Sequence, residues 1–235
     1  MTNLRLLLAW GVMISVGFVV FAFLHECAHG FGASLDGLHV STGCNRIGDA
    51  GKKPNDPDFR SQRNHQSAVD TGSFLGPALN WIASISFVVW LSKRRVGNVA
   101  TLLIGSAAVT NAWARLLPML VFFLSAFSGH VVLEDEVTWG LWGMKPAMQL
   151  DAFRRAAKWD PVMFLSNLEF LVWPLVSLAI SLTCLILGYQ CLFQLFKGQL
   201  RTRMAKGAFM GMPLIVGAPM IVVLNLLDNL VRIDW

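Results

Sequence analysis

His25 and His29 stand four residues apart with Glu26 beside the first, in the segment His25-Glu26-Cys27-Ala28-His29-Gly30. On a helix, residues i and i+4 share a face, so the two imidazoles can hold one metal ion between them. Glu26 is then placed to take a proton from a metal-bound water, which is the chemistry of the HExxH zinc pattern. At average residue usage a chance match in a chain of this length is about a one-in-a-hundred event or rarer.

The setting sharpens the point. Leu6 to Leu24 carries no charged residue and runs into the motif without a break. Three polar, ionisable side chains therefore sit in or at the edge of a membrane span. A charge at the centre of a span costs about 2.5–3.5 kcal/mol on insertion scales, and such residues face a bundle interior or a wet cavity.

The composition agrees. Of 235 residues, 55% are hydrophobic and 14% charged, against about 25% charged in a soluble domain. The chain reads as a single polytopic, all-α integral membrane domain over residues 1–235, with too little polar sequence for a second folded domain. Its net charge of +5 does not indicate nucleic acid, because the basic residues fall in short clusters between apolar runs, the pattern of membrane orientation. Cys27, Cys44, Cys184 and Cys191 show no disulfide or CxxC spacing and read as packing thiols, with zinc ligation by Cys44 a lesser alternative. The first apolar run reads as retained rather than as a cleaved signal peptide, since removing it would detach the histidines from their support.

A span needs about 20 apolar residues. Five are expected, at about 6–34, 72–91, 99–127, 162–196 and 208–227, with longer polar connections over 38–70 and 128–160 and room in the second for a short surface helix over 147–158. The Lys93-Arg94-Arg95 turn and the loop carrying Lys197, Arg201, Arg203 and Lys206 are basic without an acid. Placing them in the cytoplasm puts the N-terminus inside and both long loops opposite. The end of the first span, the start of the second and the end of the third then share one side.

Beyond this spacing, the segment HECAHGFGASLDGLHV resembles the motif helix of the site-2 protease family, the intramembrane zinc metalloproteases. Gly37-Leu38-His39-Val40 fits that family's glycine exit into a strand-like segment, and Gly72-Ser-Phe-Leu-Gly76-Pro77-Ala-Leu-Asn80 is similar to its glycine-rich stretch ending in GPxxN. The resemblance covers about the first 140 residues. It implies one Zn²⁺ per chain and hydrolysis of peptide bonds in or near transmembrane segments of membrane-protein or peptide substrates. The expected partners are that substrate, the lipid bilayer and a regulatory membrane protein.

The departure is the third ligand, because the family's NxxPxxxLDG segment is not present in that form. Asp135 comes first: it follows Leu116-Leu117-Pro118, similar to the family's Leu-Leu-Pro, and lies on the right side of the membrane. Asp228, after Asn225-Leu-Leu, is the rival. Asp36 lies about 10 Å along a continuing helix from His29 and reads as a helix-end residue, and Asp70 as a helix cap. The ligand set expected is His25, His29 and Asp135, with Glu26 as the base.

Asn80 can donate to a substrate oxyanion or make an interhelical hydrogen bond. Asn111 and Arg115 share a face of the third span, where Arg115 either stabilises an oxyanion or pairs with Glu134 or Asp135. His39, His65 and His130 read as loop or interfacial histidines, His130 being nearest Asp135 in sequence, and the nine tryptophans as interfacial anchors. Two other functions remain open at this stage: a catalytically inactive scaffold, and a metal-binding or transport protein, which would more usually carry polar residues in several spans.

Overall fold

The computed structural model of the chain describes residues 3–55, 71–127, 135 and 168–235. Five helices, α1 (Asn3–Leu35), α2 (Thr71–Ser92), α3 (Val99–Phe127), α4 (Leu168–Leu195) and α5 (Arg203–Leu227), are each long and apolar enough to cross a membrane. They fall where the apolar runs placed them. The start of the expected fourth span (162–167), the surface helix over 147–158, and Asp70, Glu134, His65 and His130 lie outside the described residues.

The helices pack with α3 against α1, α2 and α4, while α5 leans on α1. Small residues allow the close approaches that packing between spans requires: a side chain at Gly17 would press on Thr110, and one at Gly105 would meet Leu192. Trp10 anchors α1 to α5, its ring stacked on Phe209 at 4.2 Å and its indole N–H donated to the Phe209 carbonyl at 2.9 Å. The outer faces carry Val12, Ile82 and Ile215, each more than 60% exposed, as befits helices bathed in lipid. At the end remote from the histidines, Gly97 of the basic α2–α3 turn sits against Leu195 and Phe196 at the end of α4.

α1 ends in a defined cap. Gly37 adopts φ 78°, and the Gly37 and Leu38 amides donate to the Ser34 and Ala33 carbonyls at 3.0 Å each. That is a Schellman pattern, in which the left-handed residue after the helix is glycine because a Cβ would be strained there. Asp36 is thus the C-cap residue and is exposed, in keeping with its reading as a helix-end aspartate.

The polar stretch after α1 holds more order than a loop. β1 (Val40–Thr42) and β2 (Ile47–Asp49) form a hairpin, and β3 (Ile233–Asp234) adds antiparallel to the other edge of β1. Asp228 locks this hairpin to α5. Its Oδ1 accepts from the Asn45 and Arg46 amides at 3.0 and 3.2 Å, and Arg232 stands 3.7 Å from its Oδ2. A side chain at Gly43 would collide with this carboxylate. Arg232 also donates to the Ser41 hydroxyl and carbonyl at 2.9 and 2.8 Å.

Asp228 is 1% exposed, so removing its carboxylate strands two amides of the turn and takes away the counter-charge beside Arg232. Asp228→Ala should cost about 2 kcal/mol of stability and make the 43–46 turn more susceptible to limited proteolysis. Thermal unfolding in detergent and protease digestion measure both effects; unchanged values would mean the clamp is not needed.

Candidate metal centre

α1 presents His25 and His29 from one face, with Nε2 atoms 3.0 Å apart and rings edge-to-face. Asp135 brings Oδ2 to 3.4 Å from His25 Nε2 and 3.3 Å from His29 Nε2. Among the described residues this is the group of three or more His, Cys, Asp or Glu side chains whose ligand atoms converge. The other aspartates weighed from the sequence are elsewhere: Asp36 caps α1 and Asp228 holds the hairpin turn.

The three distances fit a test of scale. Tetrahedral zinc with bonds of about 2.0–2.1 Å holds its donor atoms about 3.3–3.4 Å apart. The observed triangle of 3.0, 3.3 and 3.4 Å is close to that size, and two nitrogens with one carboxylate oxygen are a zinc donor set.

Protonation points the same way. His29 Nδ1 lies 2.6 Å from the Gly72 carbonyl, which can only accept, so Nδ1 carries the proton. With the ring neutral, Nε2 is then the ligand atom facing the cluster, the orientation that an outer hydrogen bond gives a metal-ligating histidine. His25 Nδ1 is buried with no such partner among the described residues. Burial alone would raise the Asp135 carboxyl, yet the facing His29, His25 and Arg115 groups hold it well below the usual carboxylate range. Two imidazoles and a carboxylate meeting at one point are a set of donors that a metal ion could bridge.

α2 contributes space as much as chemistry. Gly76 lies against the rings of His29 and His25, and a Cβ there would overlap both. Gly72, one turn earlier, supplies the carbonyl that orients His29 and rests on the α1 backbone at His29 and Ala33. The glycine spacing was visible in the sequence, but what it serves was not: the second helix must touch the imidazoles themselves.

α3 supplies a cation. Arg115 is 4% exposed, and its Nη1 lies 3.1 Å from His25 Nε2 and 3.4 Å from Asp135 Oδ2. Of the two acids considered as its partner, Asp135 is the one described. Asn111, one turn earlier, donates Nδ2 to the Ala107 carbonyl at 2.8 Å and accepts from Asn80 Nδ2 at 2.7 Å. Because a carbonyl only accepts, this chain fixes both amide orientations. Asn80 therefore makes the interhelical hydrogen bond, and its atom without a partner among the described residues is the acceptor Oδ1. The hydrogen bond described for Asn80 thus runs to α3, and the second N–H of its amide is the one left for an oxyanion.

Glu26 is half-buried beside His25. Gly30, one turn on, is covered by Thr42 and Trp235, which leave no room for a side chain. The Trp235 indole donates to Thr42 Oγ1 at 2.7 Å, so the small sheet shields the helix face next to Glu26. The sequence reading missed Trp235 and β3, because contacts made across some 190 residues leave no local periodicity to read.

No protein-family model, curated protein or solved structure matches this chain.

Gly76→Ala is expected to force the histidine rings apart and weaken zinc binding at least tenfold, at the lower end of what loss of outer-shell support costs. Competition with a chelating dye measures the affinity, and circular dichroism checks that the helices persist. Wild-type affinity in this variant would refute the close-contact argument.

Proposed function

We propose that this protein is an intramembrane zinc metalloprotease of the site-2 protease type, cleaving peptide bonds in or near transmembrane segments of membrane proteins. The observation that carries the reading is the convergence of His25 Nε2, His29 Nε2 and Asp135 Oδ2 within 3.4 Å at the far end of an apolar helix. These three residues would hold the ion. When bound, zinc supplies a Lewis acid and a water acidified toward a pKa of about 7.

The residues do the rest. Glu26 accepts the water proton as the oxygen attacks the substrate carbonyl, then delivers it to the departing nitrogen. His29, oriented by Gly72, and Asp135, kept ionised by its neighbours, maintain the donor geometry through that cycle. His25 lies about 33 Å along α1 from its start, past the thickness of a hydrocarbon core of about 30 Å. The site therefore falls near the far interface, where water is close and a substrate helix can unwind. Basic turns Lys93–Arg95 and Lys197–Lys206 support a cytoplasmic N-terminus, with the site toward the opposite face.

The wild-type protein should carry about one zinc per chain, and His25→Ala with His29→Ala, or Asp135→Ala alone, should lose most of it by elemental analysis. Glu26→Gln should abolish cleavage of a membrane-spanning reporter while retaining zinc, because the amide matches the carboxylate in size but cannot take the proton. Cleavage at near wild-type rate by Glu26→Gln, or equal zinc in all variants, would overturn this function. Retained zinc with no cleavage by the wild type would favour the inactive-scaffold alternative.

A further inference from the structure

The end of the bundle remote from the histidines is a surface of cations. Lys93, Arg94 and Arg95 lie where α2 passes to α3, and Lys197, Arg201, Arg203 and Lys206 where α4 passes to α5. All seven are exposed. No Asp or Glu occurs in either connection or in the first turns of α3 and α5. Gly97 makes the two connections one surface, because it rests on the Leu195 carbonyl and the Phe196 ring with no room for a Cβ.

Membrane orientation depends on how many basic residues a connection carries, not on where each one sits, and here the placement is costly. Arg203 and Lys206 stand in the first turn of α5, with Arg201 just ahead of the Thr202 N-cap. The positive end of a helix dipole disfavours cations there, and α3 begins at the same surface. Among the described residues, Lys93, Arg95, Lys197, Arg201 and Arg203 have no ion pair or side-chain hydrogen bond to offset this. Like charges gathered at helix N-termini are relieved when an anion from outside the chain answers them.

The surroundings indicate which anion. Val96, Val99 and Met204 stand among the cations, each at least 65% exposed, so the surface is apolar as well as positive. The Arg94 guanidinium folds back over the Trp90 ring at 3.6 Å, and the Lys206 ammonium lies 5.5 Å from the Phe193 ring centre. Both rings belong to the last turn of their spans. These two charges are therefore held at the depth of lipid headgroups, where tryptophan also settles. A soluble acidic partner leaves the valines and the methionine unanswered, whereas a phospholipid meets the cations with its phosphate and the aliphatic side chains with its tails. We propose that this end of the bundle binds anionic phospholipids, whose headgroups bridge the 93–95 turn and the 197–206 connection. The attraction is that of basic juxtamembrane segments for anionic leaflets. The surface lies about 30 Å along α1 from His25, and its chemistry does not depend on the metal centre.

The test uses the full chain in a neutral detergent, titrated with phosphatidylglycerol or phosphatidylcholine in mixed micelles. Lipid retained after washing is counted by mass spectrometry, and thermal unfolding is followed by tryptophan fluorescence. Phosphatidylglycerol should be retained about a hundredfold more strongly than phosphatidylcholine and should raise the melting temperature. That preference should fall as salt rises from about 0.05 to 0.5 M, because screening weakens exposed charges. Lys93→Gln with Arg95→Gln, and separately Arg201→Gln with Arg203→Gln, should each lower the preference about tenfold, and the quadruple variant should lose it. Arg201→Lys with Arg203→Lys, which keeps the charge, should retain it. Circular dichroism checks folding, and the salt dependence of the wild type decides the matter even where a variant fails to fold. Equal retention of the two lipids by the wild type, or full preference in the quadruple variant, would overturn the surface. Inorganic phosphate raising the melting temperature as much as the lipid would mean a free-anion site instead. Displacement of the lipid by a soluble polyglutamate peptide would mean an acidic protein partner, and either result overturns the lipid assignment.

Discussion

Charges cannot be buried among apolar helices unless each is answered nearby, and the neighbourhood of His25 and His29 is built around that requirement. Asp135 faces both imidazoles and the Arg115 guanidinium within 3.4 Å. Desolvation of an ion in such a setting costs several kcal/mol, recovered only when the opposing groups are close and well oriented. The helices must therefore approach more tightly here than ordinary side chains permit. Gly76 and Gly72 meet that demand on α2, where a Cβ at 76 would overlap both imidazoles and one at 72 would crowd the α1 backbone. The electrostatics of the cluster and the glycine content of α2 are one constraint seen from two helices.

A second buried charge pair, Asp228 with Arg232, does different work. It binds backbone amides of the 43–46 turn and the Ser41 hydroxyl and carbonyl, joining α5 to β1. β1 in turn lies over Gly30, one turn beyond Glu26, with Trp235 alongside. The last helix thus reaches the site through a sheet rather than by a ligand. This explains why an intramembrane-looking acid with family-like neighbours can be essential to the architecture and still stand away from the histidines.

How much of this could be read from the chain follows from range. The five spans were legible because an apolar run of about 20 residues is a local signal, and seven of the ten expected boundaries are matched to within one residue. The His25–Glu26–His29 spacing was equally local. Asp135 could be ranked only by its sequence neighbours and side of the membrane, since the fold that brings it to α1 spans more than 100 residues. Asn80 shows where local reading stops. A buried amide has two N–H donors and an acceptor oxygen, and which of them faces α3 was decided by Asn111 and, behind it, by the Ala107 carbonyl. The sheet was half legible: Gly37 announced the exit from α1, but β3 and Trp235 come from the other end of the chain.

The division of labour between helices has a consequence for how the centre can vary. α1 carries His25, Glu26 and His29 on successive turns, so its register cannot slip without moving all three together. α2 gives one carbonyl and an absence of side chains, and α3 gives a counter-charge on a long, adjustable stem. The parts therefore differ in tolerance. Spacing on α1 and the bare surface of α2 are fixed by contact distances of a few ångströms. The identity of the cation on α3 is set by charge and reach, and the carboxylate comes from Asp135, between α3 and α4 in the chain. The histidines, the glycines and the cation are held in the spans, where neighbouring helices fix them. Asp135 faces the two imidazoles of α1 and the guanidinium of α3 at once, so its carboxylate is the contact that couples the α1 side of the cluster to α3.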